Sequence, residues 1–181
     1  MELSVHHITT RQQWKDIALN SSTREQVAVL LQQVKLCYRV IPGKKSRRRT
    51  SLACLFYGAS RAGKQSTAAL LGKESGLEVY SISLPEIVSK YIGETEKNLE
   101  QVFARARDQR WILFFDEADA LFGKGTETSS AHDRYANREL DYLLQRIEKH
   151  NGLAILSSNA KDNIDDATVA RFHFIIYFPA Q

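Results

Sequence analysis

The apolar run Leu52–Tyr57 passes directly into Gly58-Ala59-Ser60-Arg61-Ala62-Gly63-Lys64-Gln65. A short, continuously apolar segment closed by glycine reads as a strand buried on both faces, the pattern of a parallel sheet. After the glycine-rich turn, helical spacing begins and is expected over about residues 64–75. Strand, turn and helix in this order commit the chain to a layered α/β arrangement, because a sheet buried on both faces needs helices on both sides.

The remaining periodicity agrees. Strands are expected over 78–83, 111–116, 153–158 and 173–178. Leu99, Val102, Phe103 and Ala106 mark one helix, and Ala136, Leu140, Leu143, Leu144 and Ile147 another, stopped by Gly152. Ser22-Thr23-Arg24-Glu25 has the form of a capping box ahead of Val27, Leu30, Leu31, Val34 and Tyr38. The fold expected is α/β, three layers, with a central, mostly parallel five-stranded sheet flanked by helices. Residues 1–50 are read as a linker, an amphipathic helix and a basic loop, and 51–181 as the α/β core, the whole forming one structural domain. His6 and His7 are read as part of a mobile terminus.

The chain has 181 residues, 43% of them hydrophobic, enough for a single core. Its formal charge of +4 is concentrated in Lys44, Lys45, Arg47, Arg48 and Arg49. This run is read as a solvated loop; a nucleic-acid or phospholipid contact is the alternative, without interleaved aromatics for base stacking. Cys37 and Cys54 are too few for a disulfide framework, and a reducing cytoplasm fits them. No stretch approaches the roughly 20 apolar residues of a membrane span, and no export signal is evident.

Chemistry enters with the turn. Gly58 and Gly63 allow backbone amides to approach an anion, the helix behind them adds its positive end, and Lys64 would reach terminal phosphates. The residue after the lysine ordinarily gives a hydroxyl to magnesium; here Gln65 offers only an amide carbonyl oxygen, and Ser66 lies about 100° further round the helix. Taken alone, such a turn can be a tight connection, and the Asp116-Glu117 pair after Trp111-Ile112-Leu113-Phe114-Phe115 can be a solvated strand end. In this order they point to a nucleotide site at the carboxyl edge of a sheet. Asp116 would orient metal and Glu117 would polarise the attacking water. His132 is read as structural, having no second ligand at a metal-binding spacing.

With Ser89-Lys90-Tyr91-Ile92-Gly93-Glu94-Thr95-Glu96, Phe114-Phe115-Asp116-Glu117-Ala118-Asp119-Ala120-Leu121-Phe122-Gly123 and Leu156-Ser157-Ser158-Asn159, the chain resembles AAA+ ATPases over most of its length. Within that family it is similar to bacterial members found with phage-tail-like contractile injection systems. The resemblance implies ATP and Mg2+ as cofactors, a Walker A loop at Gly58, Ala59, Ser60, Arg61, Ala62, Gly63, Lys64, Gln65 and Ser66, and a Walker B motif closing at Asp116 and Glu117. It implies that Asn159 helps orient water, that Ile17 and Ala18 in the N-terminal linker lie near the adenine, and that Tyr91 and Ile92 grip a protein substrate in the pore of a homo- or hetero-oligomeric ring, a hexamer.

Four departures concern turnover. Gln65 stands at the magnesium position, Ala59-Ser60-Arg61 replaces a Pro-Pro-Gly, Arg171 remains as the single finger candidate with Ala170 and His173 beside it, and the helical lid that the resemblance implies is expected to be absent from the stretch ending at Gln181, through truncation or supply by a partner. The function expected is an ATP-binding module that hydrolyses ATP to ADP and phosphate while remodelling or threading protein substrates; the alternative is a nucleotide-binding but hydrolysis-deficient regulatory or assembly module.

Overall fold

Six strands form one sheet in the order β1-β3-β4-β5-β2-β6 in the computed structural model, which describes residues 5–38, 51–107, 109–122, 131–159 and 164–180, with side chains from 138 onward in the helix that begins at 131. The strands are β1 (Val5–Ile8), β2 (Leu52–Tyr57), β3 (Glu78–Ser83), β4 (Trp111–Asp116), β5 (Leu153–Ser158) and β6 (Phe174–Tyr177). Helices α1 (Ser21–Cys37), α2 (Arg61–Ser75), α3 (Leu84–Ile87), α4 (Glu94–Ala106), α5 (Ala131–Lys149) and α6 (Asp166–Val169) complete it, with 3-10 turns at Trp14–Asp16 and Ala118–Ala120. The basic run lies outside the described residues, as do Gly123 and the side chain of His132.

The five expected strands all run parallel to one another; the sixth, β1, runs antiparallel to β3 at the edge. His6 and His7 therefore belong to a strand, not to a mobile terminus. His7 stacks on Tyr80 with ring centroids 5.0 Å apart, and Tyr80 lies 3.9 Å from Trp111, so an aromatic ladder crosses three strands. Cross-strand aromatic pairs of this kind stabilise a sheet edge.

Two apolar layers bury the sheet. On one face α1 and α2 place Val27, Leu30, Val34, Ala68 and Leu71 against Cys54, Phe56, Phe114 and Ile155. On the other, α4 and α5 place Leu99, Phe103, Leu143 and Ile147 against Leu55, Leu113, Phe115 and Leu156. Alternate residues of β2 and β4 thus face opposite layers, as strand pleating requires. Burial raises the Cys54 thiol pKa well above its ordinary range, so it packs as a small apolar side chain.

Two helix starts differ from the sequence expectation. Asn20, not Ser22, caps α1, accepting from the Thr23 amide at 2.7 Å, while the Thr23 hydroxyl donates to the Tyr177 carbonyl at 2.7 Å. Helix α2 begins at Arg61, three residues earlier than about 64, because Ser60 is a good N-cap and its hydroxyl accepts from the Gly63 amide at 3.2 Å. Arg61 consequently sits in a first helical turn, where no positive φ is asked of it.

Candidate functional site

Strand β5 lies between β2 and β4, so their carboxyl ends bring together the turn after β2, the acidic end of β4 and the tip of β5. Gly58 has φ 123°, and a Cβ there would stand 2.1 Å from the Phe178 carbonyl oxygen. Only glycine fits that close approach, which seats the turn against the end of β6.

Lys64 is 1% exposed. Its Nζ donates to the Gly58 carbonyl at 2.7 Å and to the Ser158 carbonyl at 2.6 Å, tying β2's turn to β5. Burial lowers its pKa, opposed by the nearby carboxylates of Asp116 and Asp119, with Arg61 adding to the lowering. A buried ammonium needs such partners, and two neutral carbonyls are exchangeable for stronger anionic acceptors.

Asp116 is buried at the end of β4, and its Oδ1 accepts from the Glu117 amide at 2.9 Å. Glu117 has φ 57°, the one non-glycine positive φ among the described residues. That left-handed turn ends the strand and starts the 3-10 turn Ala118–Ala120. Glutamate in this region costs about 1–2 kcal/mol, a strain characteristic of functional positions.

The guanidinium of Arg61 spans both carboxylates. Its Nε donates to Asp116 Oδ2 at 3.2 Å, the same oxygen lies 3.0 Å from NH2, and Glu117 Oε1 lies 3.6 Å from NH1. Gln65 projects into solvent on α2. These residues do not fit Mg2+: an octahedral ion would need Asp116's carboxylate, which a guanidinium already holds, and Gln65 supplies no hydroxyl. They do suit phosphate, with an ammonium, a guanidinium and the start of a 15-residue helix on one edge.

Asp119 escaped sequence reasoning. Its Oδ1 accepts from the Ser158 hydroxyl at 2.7 Å and its Oδ2 from the Asn159 amide at 3.0 Å, so it fixes the β5 tip beside the end of β4. The signal was a third carboxylate three residues after Asp116, which the sequence alone does not separate from a solvated turn. Asn159 itself is exposed at that tip.

The other candidates belong to other segments of the fold. Ile17 is buried at the end of the turn Trp14–Asp16, and the preceding segment is held to α2 by Lys73, whose Nζ donates to the Gln12 carbonyl at 2.9 Å. Ala18, which follows it, is exposed, between buried Ile17 and half-buried Leu19. Arg171 is clamped on α5, 2.6 Å from Asp141 and 2.8 Å from Glu148. Tyr91 and Ile92 are 65% and 81% exposed. Their loop is pinned below: the Ser89 amide donates to Thr95 Oγ1 at 2.9 Å, Ser89 Oγ bonds Glu94, and the Tyr91 amide donates back to Ser89 Oγ at 3.2 Å.

The sheet order and this edge define an α/β protein of the phosphate-loop type. The profile of the ATPase family associated with various cellular activities (AAA) matches residues 54–180, and the chain belongs to that family. It is 31% identical over 176 residues to the AAA family ATPase y4kL of Sinorhizobium fredii, covering 96% of this chain and 52% of that protein. It is 29% identical over 160 residues to the peroxisomal ATPase PEX1 of Dictyostelium discoideum, and 34% identical over 127 residues to PEX1 of Cricetulus griseus. Those two matches cover 87% and 69% of this chain but 13% and 10% of the relatives, so the chain spans half the length of one relative and a small part of the others. No described helix is long and apolar enough to cross a membrane.

Proposed function

We propose that the chain is an ATP-binding AAA module that works in an oligomeric ring on protein substrates. The observation that carries this reading is Lys64, a buried cation whose hydrogen bonds among the described residues go to two carbonyls, at the meeting point of β2, β4 and β5. Phosphate oxygens are better acceptors for that ammonium, and α2's N-terminal end adds a favourable field. Ile17 and Ala18 would flank the base. Asn159 and Glu117 would position and polarise water for attack on the terminal phosphate, Arg171 would serve a neighbouring subunit, and the exposed Tyr91 and Ile92 would grip an extended polypeptide. An aromatic gives large, sequence-tolerant contact at low entropic cost.

A second reading keeps binding without efficient turnover, as a regulatory or assembly module. It is favoured by Arg61 lying across Asp116 and Glu117. Titration with ATP tests the common part: saturable binding is expected, lost in Lys64→Ala, with circular dichroism confirming that the variant stays folded. No saturable binding at millimolar ATP would remove both readings. Phosphate release then separates them: turnover that falls in Glu117→Gln supports hydrolysis, and turnover indifferent to that change supports the regulatory reading.

A further inference from the structure

We propose that Arg61 is a built-in replacement for the divalent metal, so that this chain binds the nucleoside triphosphate in its metal-free form. The inference rests on the nucleotide binding proposed above and specifies its ionic state. Three observations converge. One guanidinium reaches both carboxylates at the end of β4, at 3.0 Å from Asp116 and 3.6 Å from Glu117. The residue after Lys64, where a metal-ligating hydroxyl would stand, is the exposed amide Gln65. And Arg61 is the first residue of α2, so its charge lies at the helix end that faces an incoming anion.

The chemistry of the two cations differs in a way that favours this exchange. Mg2+ bridges carboxylate and phosphate through tightly held waters in octahedral geometry, and it dehydrates reluctantly. A guanidinium is permanently charged, weakly hydrated and planar, with five N–H donors, more than Asp116 and Glu117 engage. It can keep the carboxylates and still turn donors toward phosphate oxygens. A metal would first have to displace Arg61 from a buried carboxylate, breaking a charge-assisted contact to make room for itself. Arg61 has the freedom the role needs, its side chain being 61% exposed while Asp116's is 9% exposed.

Isothermal titration with ATP in EDTA and in excess Mg2+ tests this without reference to turnover. The wild-type dissociation constants in the two buffers are expected to agree within about threefold. Arg61→Ala should bind at least about tenfold more weakly in EDTA and recover when Mg2+ is added, and Arg61→Gln, which keeps the helix propensity, should behave alike. Wild-type binding that weakens tenfold or more in EDTA overturns the proposal, as does Arg61→Ala binding in EDTA as tightly as wild type. Saturable binding in neither buffer is a different result and removes nucleotide binding itself.

Discussion

The Asp119 carboxylate accepts from the Ser158 hydroxyl at 2.7 Å and, through its other oxygen, from the Asn159 amide at 3.0 Å. One side chain thus sets the height of the β5 tip against the acidic end of β4, and Ser158's carbonyl in turn holds Lys64. Asp119→Ala leaves two donors without this acceptor, one of them on a fully buried serine, and is expected to destabilise the protein by about 1–3 kcal/mol. Asp119→Asn should cost less, keeping one acceptor but turning an NH2 toward a donor. Urea unfolding checks this as a lowered midpoint at unchanged slope.

Glu117 joins strain to chemistry. Its φ of 57° suits glycine better than glutamate. Glu117→Gly is expected to raise stability by about 1 kcal/mol, the relief of the left-handed turn outweighing glycine's greater unfolded-state entropy and a half-exposed ion pair with Arg61. Under the hydrolytic reading the same variant releases no phosphate above background. Thermal denaturation beside a phosphate assay measures both; a destabilised Glu117→Gly would mean that the carboxylate, not the backbone, decides the site's energy.

Strands β2 to β5 were legible at residue resolution: β2 and β4 are nearly continuous apolar runs, β5 is an apolar run closed by two serines, and β3 carries Val79, Tyr80 and Ile82 among polar residues. β1 was not, since Val5-His6-His7-Ile8 has two exposed histidines and owes its extended form to pairing with β3. Helix α2's early start was hidden by the motif itself: Gly58 to Gln65 reads as one loop, yet Ser60 caps a helix in its middle. The position of Lys64, Asp116 and Glu117 at one edge followed from strand order. Arg61's embrace of both carboxylates did not, for it depends on the helical turn that aims the side chain, and sequence spacing of 55 residues carries no such direction.

Tyr91 and Ile92 are predicted to separate function from stability. Both side chains are mostly solvated, and the loop's hydrogen bonds run through Ser89, Glu94 and Thr95 below them. Tyr91→Ala and Ile92→Ala should leave stability within about 0.5 kcal/mol of wild type. Under the proposed function they abolish action on an unfolded protein substrate while ATP binding persists. Loss of ATP binding in either variant would instead place this loop within the nucleotide site.

His150 makes the fold acid-sensitive. Burial lowers its pKa to about 4; a hydrogen bond to the Trp111 backbone opposes the shift, and the charge of Arg146 adds to it. The unfolded chain takes up a proton as pH falls below the ordinary histidine value of about 6.5, while the folded chain stays neutral until about 4. The unfolded state therefore binds more protons between those values, and stability falls with pH across that window, by on the order of 3 kcal/mol once pH reaches the folded pKa. Above about 6.5 neither state is protonated at this site and the effect vanishes. His150→Leu removes the titrating group, so its stability between pH 6.5 and 4 should decline less steeply than that of wild type, even where its stability at neutral pH is lower for want of the Trp111 hydrogen bond. Unfolding midpoints at half-unit pH steps give the two slopes, and equal slopes would assign the acid sensitivity to other groups.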